Sequence, residues 1–216
     1  MRLLGCVCVI LAAGIPAAPG AAQPTGETDA FLRVGVSRIR LADEGRIFVN
    51  GVRDEKADYK TPEKWVASAE VGYFVHDRVA VQVSGTTPAT TRNVPAGSLD
   101  GLPNLGNDTF SIFTLTGTFH PLRGSSFSPY AGAGVGLQKV WSTEDHFASN
   151  LRIHDAFGAV IQGGVEVAVS PRFGVFFDAK KGFWDANASG NLGPARVTAV
   201  AKLDPLLLQA GALIRF

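Results

Sequence analysis

Residues 203–216 read Leu-Asp-Pro-Leu-Leu-Leu-Gln-Ala-Gly-Ala-Leu-Ile-Arg-Phe. At period two, Leu206, Leu208, Ala210, Ala212, Ile214 and Phe216 form one wholly apolar face. The other face, Leu207, Gln209, Gly211, Leu213 and Arg215, holds every polar residue after Pro205. That division is the one expected of a strand with lipid outside and a lumen inside. A helix is disfavoured by Gly211 in mid-run and by length, since a helix needs about 20 residues to cross a bilayer. A core strand of a soluble protein fits the segment equally well, so its partners along the chain have to decide.

The chain opens with one charge at Arg2, an apolar run over residues 3–15 and small residues with prolines up to Ala22. This is the pattern of a secretory signal peptide, residues 1–22, cleaved after Ala22. Both cysteines, Cys6 and Cys8, lie inside it, so the mature chain is expected to have no disulfide, thiolate nucleophile or cysteine-bound metal. Residues 23–216 are one domain by length, with no composition break. With 20 Lys and Arg against 19 Asp and Glu, the net charge is +1, and no basic block offers a surface to nucleic acid.

Seven more alternating segments follow the same rule. Residues 30–41 set Leu32, Val34 and Val36 against Arg33, Gly35 and Ser37, and a polar loop spans 42–63. Residues 65–75 place Trp65, Ala67, Ala69, Val71, Tyr73 and Val75 opposite Ser68, Glu70 and Gly72. A tight turn at 76–78 leads into 79–88, and a second long loop into 110–120. Residues 130–141 alternate Ala131, Ala133, Val135 and Leu137 with Gly132, Gly134, Gly136 and Gln138. In 156–169 the inward set is Gly158, Gln162, Gly164 and Glu166, and in 173–181 it is Gly174, Phe176, Asp178 and Lys180. A fourth loop spans 182–195, and 197–216 closes the set.

Short connections near His76, Pro121 and Pro171 alternate with long ones, so all short turns fall at one end. The expectation is an all-β fold: an eight-stranded antiparallel transmembrane β-barrel with long extracellular loops and short periplasmic turns. A soluble sandwich would scatter its turn lengths and need not keep one face free of charge. Export and a barrel together imply the Gram-negative outer membrane, with its lipid and lipopolysaccharide as surroundings. Terminal Phe216 resembles the signal by which barrel assembly machinery recognises its clients, with Ile214 where an aromatic is more usual.

Several stretches resemble the OmpW family of small outer-membrane proteins, in the family's order. They are Leu32-Arg33-Val34-Gly35, Thr87-Pro88, Ser128-Pro129-Tyr130-Ala131-Gly132-Ala133-Gly134, and Lys202-Leu203-Asp204-Pro205 with the final Arg215-Phe216. The long loops do not match visibly. The resemblance implies a passive channel for small hydrophobic molecules, with an apolar funnel at the outer end and a lateral exit into the membrane. An eight-stranded barrel is nearly filled by its own side chains, which argues against a broad water pore. On the lumen face, Gly132, Gly134, Gly136, Gly158 and Gly164 remove side-chain volume and, with Phe176, mark a ligand path. The alternative is that these glycines only relieve crowding in a small, curved barrel.

Proline gives no amide hydrogen to a ladder, so the wall is expected to weaken at Pro88 and Pro205. The resemblance favours Pro88 as the exit, and the alternative for Pro205 is that it only terminates pairing at the rim. Arg33, Glu70, Glu166 and Arg215 all project into the periplasmic half of the lumen. A buried charge needs a partner, so Arg33 and Arg215 bridged by Glu70 and Glu166 would form a periplasmic plug. The alternative is a water-filled end in which each charge is solvated.

Two other functions fit a small barrel: a structural or adhesive role carried by the loops, and a lipid A-modifying enzyme. The enzyme would need a His, a Ser nucleophile and a carboxylate together at the rim. His76, His120, His146 and His154 lack a Ser two residues on. His146 beside Glu144 and Asp145 reads as solvated loop charge, and neither metal nor cofactor is expected.

Overall fold

A strand in lipid must find backbone partners on both edges, and only a closed sheet supplies them. The computed structural model describes residues 29–42 and 44–216, and the expected signal peptide, with both cysteines, lies outside them. Sixteen strands are present among the described residues. They are β1 (Ala30–Arg40), β2 (Glu44–Val49), β3 (Val52–Asp54), β4 (Ala57–Lys60), β5 (Lys64–His76), β6 (Val79–Thr86), β7 (Ala89–Arg92) and β8 (Val94–Gly97). The second half holds β9 (Gly106–Phe119), β10 (Phe127–Asp145), β11 (Ser149–Ile153), β12 (Ala156–Ala168), β13 (Phe173–Phe183), β14 (Asp185–Leu192), β15 (Ala195–Lys202) and β16 (Leu206–Arg215).

Eight of these, β1, β5, β6, β9, β10, β12, β13 and β16, pair antiparallel in chain order, and β16 returns to β1. The seam runs from Phe31 opposite Arg215 to Arg40 opposite Leu206. At its middle Gly35 faces Gly211, and a Cβ on either would run into the opposing backbone, so two glycines are required here. The short connections, after β5, β9 and β12, lie at one end, as the spacing predicts.

The expected facing holds. Leu208 is 45% exposed, whereas Leu207 is 2% and Leu213 0%. Val34, Val36, Val71, Val83, Leu115, Val135, Ile161 and Phe177 continue the outer apolar band around the wall. Its upper limit is marked by the exposed Lys139–Asp155 ion pair at 2.7 Å. Trp65 and Trp141, both exposed, stand at the same level, as interfacial tryptophans do.

The long connections differ from the polar loops expected of them. β11, β14, β15, β2 and β3 form a second sheet in that order, and β4 pairs with β8. Asn50 and Gly51, both at positive φ, make the β2–β3 turn, the dipeptide that most strongly marks a two-residue hairpin. The segment 197–216 is therefore two strands. β15 belongs to the outer sheet, and the chain breaks at Asp204 (φ 31°) and Pro205 before β16 enters the barrel. The cause is local: Pro205 cannot donate to a ladder, and Asp204 turns the chain.

Two equally exposed valines separate lipid from water. Val71, 61% exposed, lies in the band, and Val52, 72% exposed, lies in the outer hairpin. Val71→Arg should cost roughly 2–4 kcal/mol and lower the fraction folded into bilayers, read by heat-modifiable gel migration. Val52→Arg should fold as the unmodified protein does, and equal losses for both would overturn the placement of the band.

Candidate functional site: the barrel interior

The inward residues divide the interior into a charged lower half and an apolar upper half. Arg33, on β1, is 1% exposed. Its Nη1 donates to Glu70 of β5 and its Nη2 to Glu166 of β12. Arg215 of β16 donates to the second oxygen of Glu166 at 2.7 Å. Sequence parity thus brings all four expected charges into contact, with one change of partner. The second oxygen of Glu70 meets Lys180 at 2.7 Å, and Lys180 also binds Asp178 at 2.8 Å and Gln209 at 2.6 Å. Three cations, Arg33, Lys180 and Arg215, therefore balance three carboxylates, Glu70, Glu166 and Asp178.

Neutral side chains tie this cluster to the wall. Tyr130 Oη and Gln162 Nε2 each donate to Asp178 Oδ2 at 2.7 Å. Gln162 Oε1 accepts from Gln82 at 2.8 Å and Thr116 at 2.7 Å, and Gln209 donates to Ser37 at 2.7 Å. The Arg33 guanidinium lies 4.4 Å from the centre of the Tyr130 ring and 4.7 Å from that of Phe31, a second source of stabilisation for a buried cation. Below it, His120 stacks on Tyr130 and meets Phe74 edge-on. Phe176, expected on the ligand path, instead faces Arg33 at 5.7 Å within the charged half.

The five lumen glycines leave no open space. A Cβ on Gly136 would come within 2.7 Å of the Trp184 ring, and one on Gly158 within 2.9 Å of the Trp184 Cβ. At Gly164 it would meet Tyr130 Oη at 2.5 Å. At Gly132 and Gly134 it would strike the backbone of β9. The volume freed by these glycines is taken by Trp184, Tyr130 and close strand approach, as the crowding alternative holds. Trp184 packs with Ile39, Ile112, Val160 and Leu207 in an apolar cluster above the charges. Position alone gives no sign of Trp184, since it sits where a loop is expected. Asp178 and Lys180 did carry a signal, because ionisable side chains on an inward face at membrane depth are rarely idle.

Above Trp184 is a cavity of about 120 Å³, lined chiefly by apolar side chains that include Leu41, Ile47, Leu105, Leu151, Ile153 and Val197. The outer sheet supplies much of this lining, so the loops build the chamber. Asp108 enters it from the part of β9 that rises above the level of Lys139, where β9 pairs with β7 rather than β6. Burial pushes its carboxyl up to about 6, against a hydrogen bond from Asn93 Nδ2 at 3.0 Å.

The two prolines differ. On β9, Phe113 pairs with Gly85 and Phe110 with Ala89, so Thr86, Thr87 and Pro88 face only Ser111 and Ile112. This is a bulge of one residue, with Thr87 and Pro88 both exposed. Ile112 N reaches the Thr86 hydroxyl at 3.0 Å instead of a backbone carbonyl. The ladder is thus interrupted at tryptophan level, a few residues along the strands from Thr91 and Asp108 of the cavity lining. Pro205 is buried, and its carbonyl accepts from Gly182 N at 2.8 Å. Leu203 N bonds Trp184 O at 3.1 Å, so the wall is bonded there and the expected weakness at Pro205 is absent. Phe216 is exposed at the periplasmic rim, its amide bonded to Ala30 O at 2.9 Å.

His120 bonds Thr118 at 3.0 Å, and His146 bonds Asn107 at 3.2 Å and the Asp145 carbonyl at 2.7 Å. Neither stands in a chain of serine, histidine and carboxylate. Among the described residues no three His, Cys, Asp or Glu side chains are grouped to hold a metal.

The OmpW family model matches residues 26–216. The uncharacterized outer-membrane protein y4mB of Sinorhizobium fredii is 30% identical over 190 residues, 86% of this chain and 79% of its own. The dibenzothiophene metabolism operon protein PahQ of Pseudomonas aeruginosa is 26% identical over 175 residues, covering 81% and 82%. Outer membrane protein OprG of Pseudomonas aeruginosa superposes with a TM-score of 0.82 at 20% identity, covering 88% of this chain and 96% of that one. Outer membrane protein AlkL, solved in lipid bilayers, gives 0.72 at 21% identity, covering 94% and 96%. With the closed eight-stranded wall and its apolar outer band, these matches make the chain an outer-membrane β-barrel that belongs to the OmpW family.

Proposed function

We propose that this barrel is a passive channel for small hydrophobic molecules, which enter the outer cavity and leave sideways at Pro88. The observation that carries the reading is an apolar chamber set above a charge-filled lower barrel, with the interrupted ladder at its side. A dry apolar cavity of about 150 Å³ holds benzene, so a chamber of about 120 Å³ suits small apolar bodies. A molecule of that kind gains nothing by passing the ion cluster below, and Trp184 stands in the way. The wall gap gives it lipid instead. The relative PahQ carries dibenzothiophene, a compact aromatic hydrophobe, in its name, which agrees with this substrate class. Arg33, Glu70, Glu166, Arg215 and Lys180 close the periplasmic direction in this reading. The protein acts without catalysis, and Phe216 serves the barrel assembly machinery.

Deleting Pro88 removes the bulge and the missing donor together while keeping the inward parity of Ala89 and Thr91. It should abolish protein-dependent uptake of a small aromatic hydrocarbon by whole cells, with the barrel still heat-modifiable. Undiminished uptake would move the exit elsewhere, and equal uptake with and without the protein would favour a structural or adhesive barrel.

Replacing Arg33 and Glu70 together by alanine removes one charge of each sign and leaves Arg215 with Glu166 and Lys180 with Asp178. Ion conductance in planar bilayers should rise in this variant, and an unchanged trace would sink the closure. Arg33→Ala alone should destabilise by about 3–5 kcal/mol, since it leaves three buried carboxylates against two cations, Lys180 and Arg215.

A further inference from the structure

Of the seven polar side chains that line the outer cavity, Thr61, Thr91, Asn93, Asp108, Gln138, Ser189 and Asn191, only three are buried: Thr91, Asp108 and Gln138. Their exposures are 2%, 5% and 2%. Thr91 Oγ1 and Gln138 Oε1 are buried without a hydrogen-bond partner. Orphaned buried polar atoms are uncommon in native proteins and point to a missing partner, either water or a ligand. The cavity is far larger than the 10–15 Å³ that one water needs, so it has room for a molecule that brings its own polar group.

Their placement forms two stations. Thr91 and Asp108 are directly paired across β7 and β9, so their side chains leave the same face side by side. Gln138 is paired with Ile112, four residues deeper along β9, roughly 13 Å at the rise of a strand. Ile112 is also the residue whose amide reaches Thr86 at the bulge. The first station thus lies toward the cavity's outer part, and the second lies level with the wall gap.

The chemistry of the stations is lopsided. Asp108 is mainly ionised at neutral pH and then only accepts, and the orphaned atom of Gln138 is a carbonyl oxygen. Threonine accepts or donates. The Gln138 oxygen therefore calls for a donor on the ligand, and Thr91 beside Asp108 accepts the same donor. An ether, ester or ketone brings only acceptors, and a carboxylate would meet the charge of Asp108 in an apolar chamber.

We propose that the cavity selects small apolar molecules bearing one hydroxyl donor, phenols and alcohols, through Thr91 and Asp108 toward its outer end and Gln138 beside the exit. This rests on the channel reading above and names its substrate class. The hydroxyl is handed from the first station to the second as the apolar body slides along the lining, and it is released where the wall opens.

The test compares phenol with anisole, which has the same ring and no donor. Equilibrium binding to the intact detergent-solubilised barrel should favour phenol by about fivefold to tenfold, the worth of one or two hydrogen bonds. In Thr91→Val combined with Asp108→Val and Gln138→Leu, checked for folding by heat-modifiability, the ratio should fall to about one. Equal binding of the two probes by the unmodified protein, or a ratio that survives the triple variant, overturns the inference and leaves water as the partner of the orphaned groups. Uptake into proteoliposomes separates the two readings. A retained binding preference with no protein-dependent uptake sinks the channel alone, whereas uptake of both probes without preference sinks the selectivity alone.

Discussion

The buried guanidinium of Arg33 is the constraint on which the lower barrel depends. A cation taken out of water in a membrane-embedded lumen is tolerated only with partners, and its two forks reach carboxylates on β5 and β12. Those carboxylates recruit Lys180 and Arg215 in turn, and Asp178 completes the balance. Six charges on five strands, β1, β5, β12, β13 and β16, thus fix one another's positions. An all-apolar filling of the same volume would be easier to desolvate but would not distinguish one strand register from another. A slip of one residue would turn every one of these charges toward lipid.

The upper half obeys a different rule. Trp184 leaves the end of β13, lies over Gly136, Gly158 and Gly182, and separates the ion cluster from the chamber. The glycines and the indole are one packing unit, in which small residues on three strand segments make the seat for the largest side chain. Above it, the outer sheet closes over the mouth with Ile47, Val197 and Ala199 directed inward. A barrel of eight strands has no room for a wide pore. This one extends its chamber outward from the wall, with the connections supplying much of the lining.

The interruption at Thr86 to Pro88 is where the two halves of the design meet the membrane. Both Thr87 and Pro88 face outward, and the parity of the strand is restored at Ala89, so the wall loses a bond without losing its facing. Pro205 shows that proline alone does not open a wall. There Gly182 donates to its carbonyl, Trp184 O accepts from Leu203, and the ring packs inside. What matters is whether a neighbouring strand has an amide or carbonyl within reach.

The sequence by itself determined the barrel, its strand facing, the end that carries the short turns and the inward placement of Arg33, Glu70, Glu166 and Arg215. All of these follow from period-two alternation under one requirement, that the outer face be apolar and the inner face hold the polar groups. The outer hairpin was not read, since 42–63 stands in the sequence as a polar loop, although Asn50-Gly51 carries the signal of a two-residue hairpin. The tertiary structure alone decided that Lys180, not Arg215, answers the second oxygen of Glu70, that Trp184 fills the space over the glycines, and that the ladder is interrupted at Pro88 but bonded at Pro205. Each of these depends on which residues face one another across strands distant in sequence. Alternation sets the side of the wall on which a residue lies, and only the register between strands sets its depth and its partner.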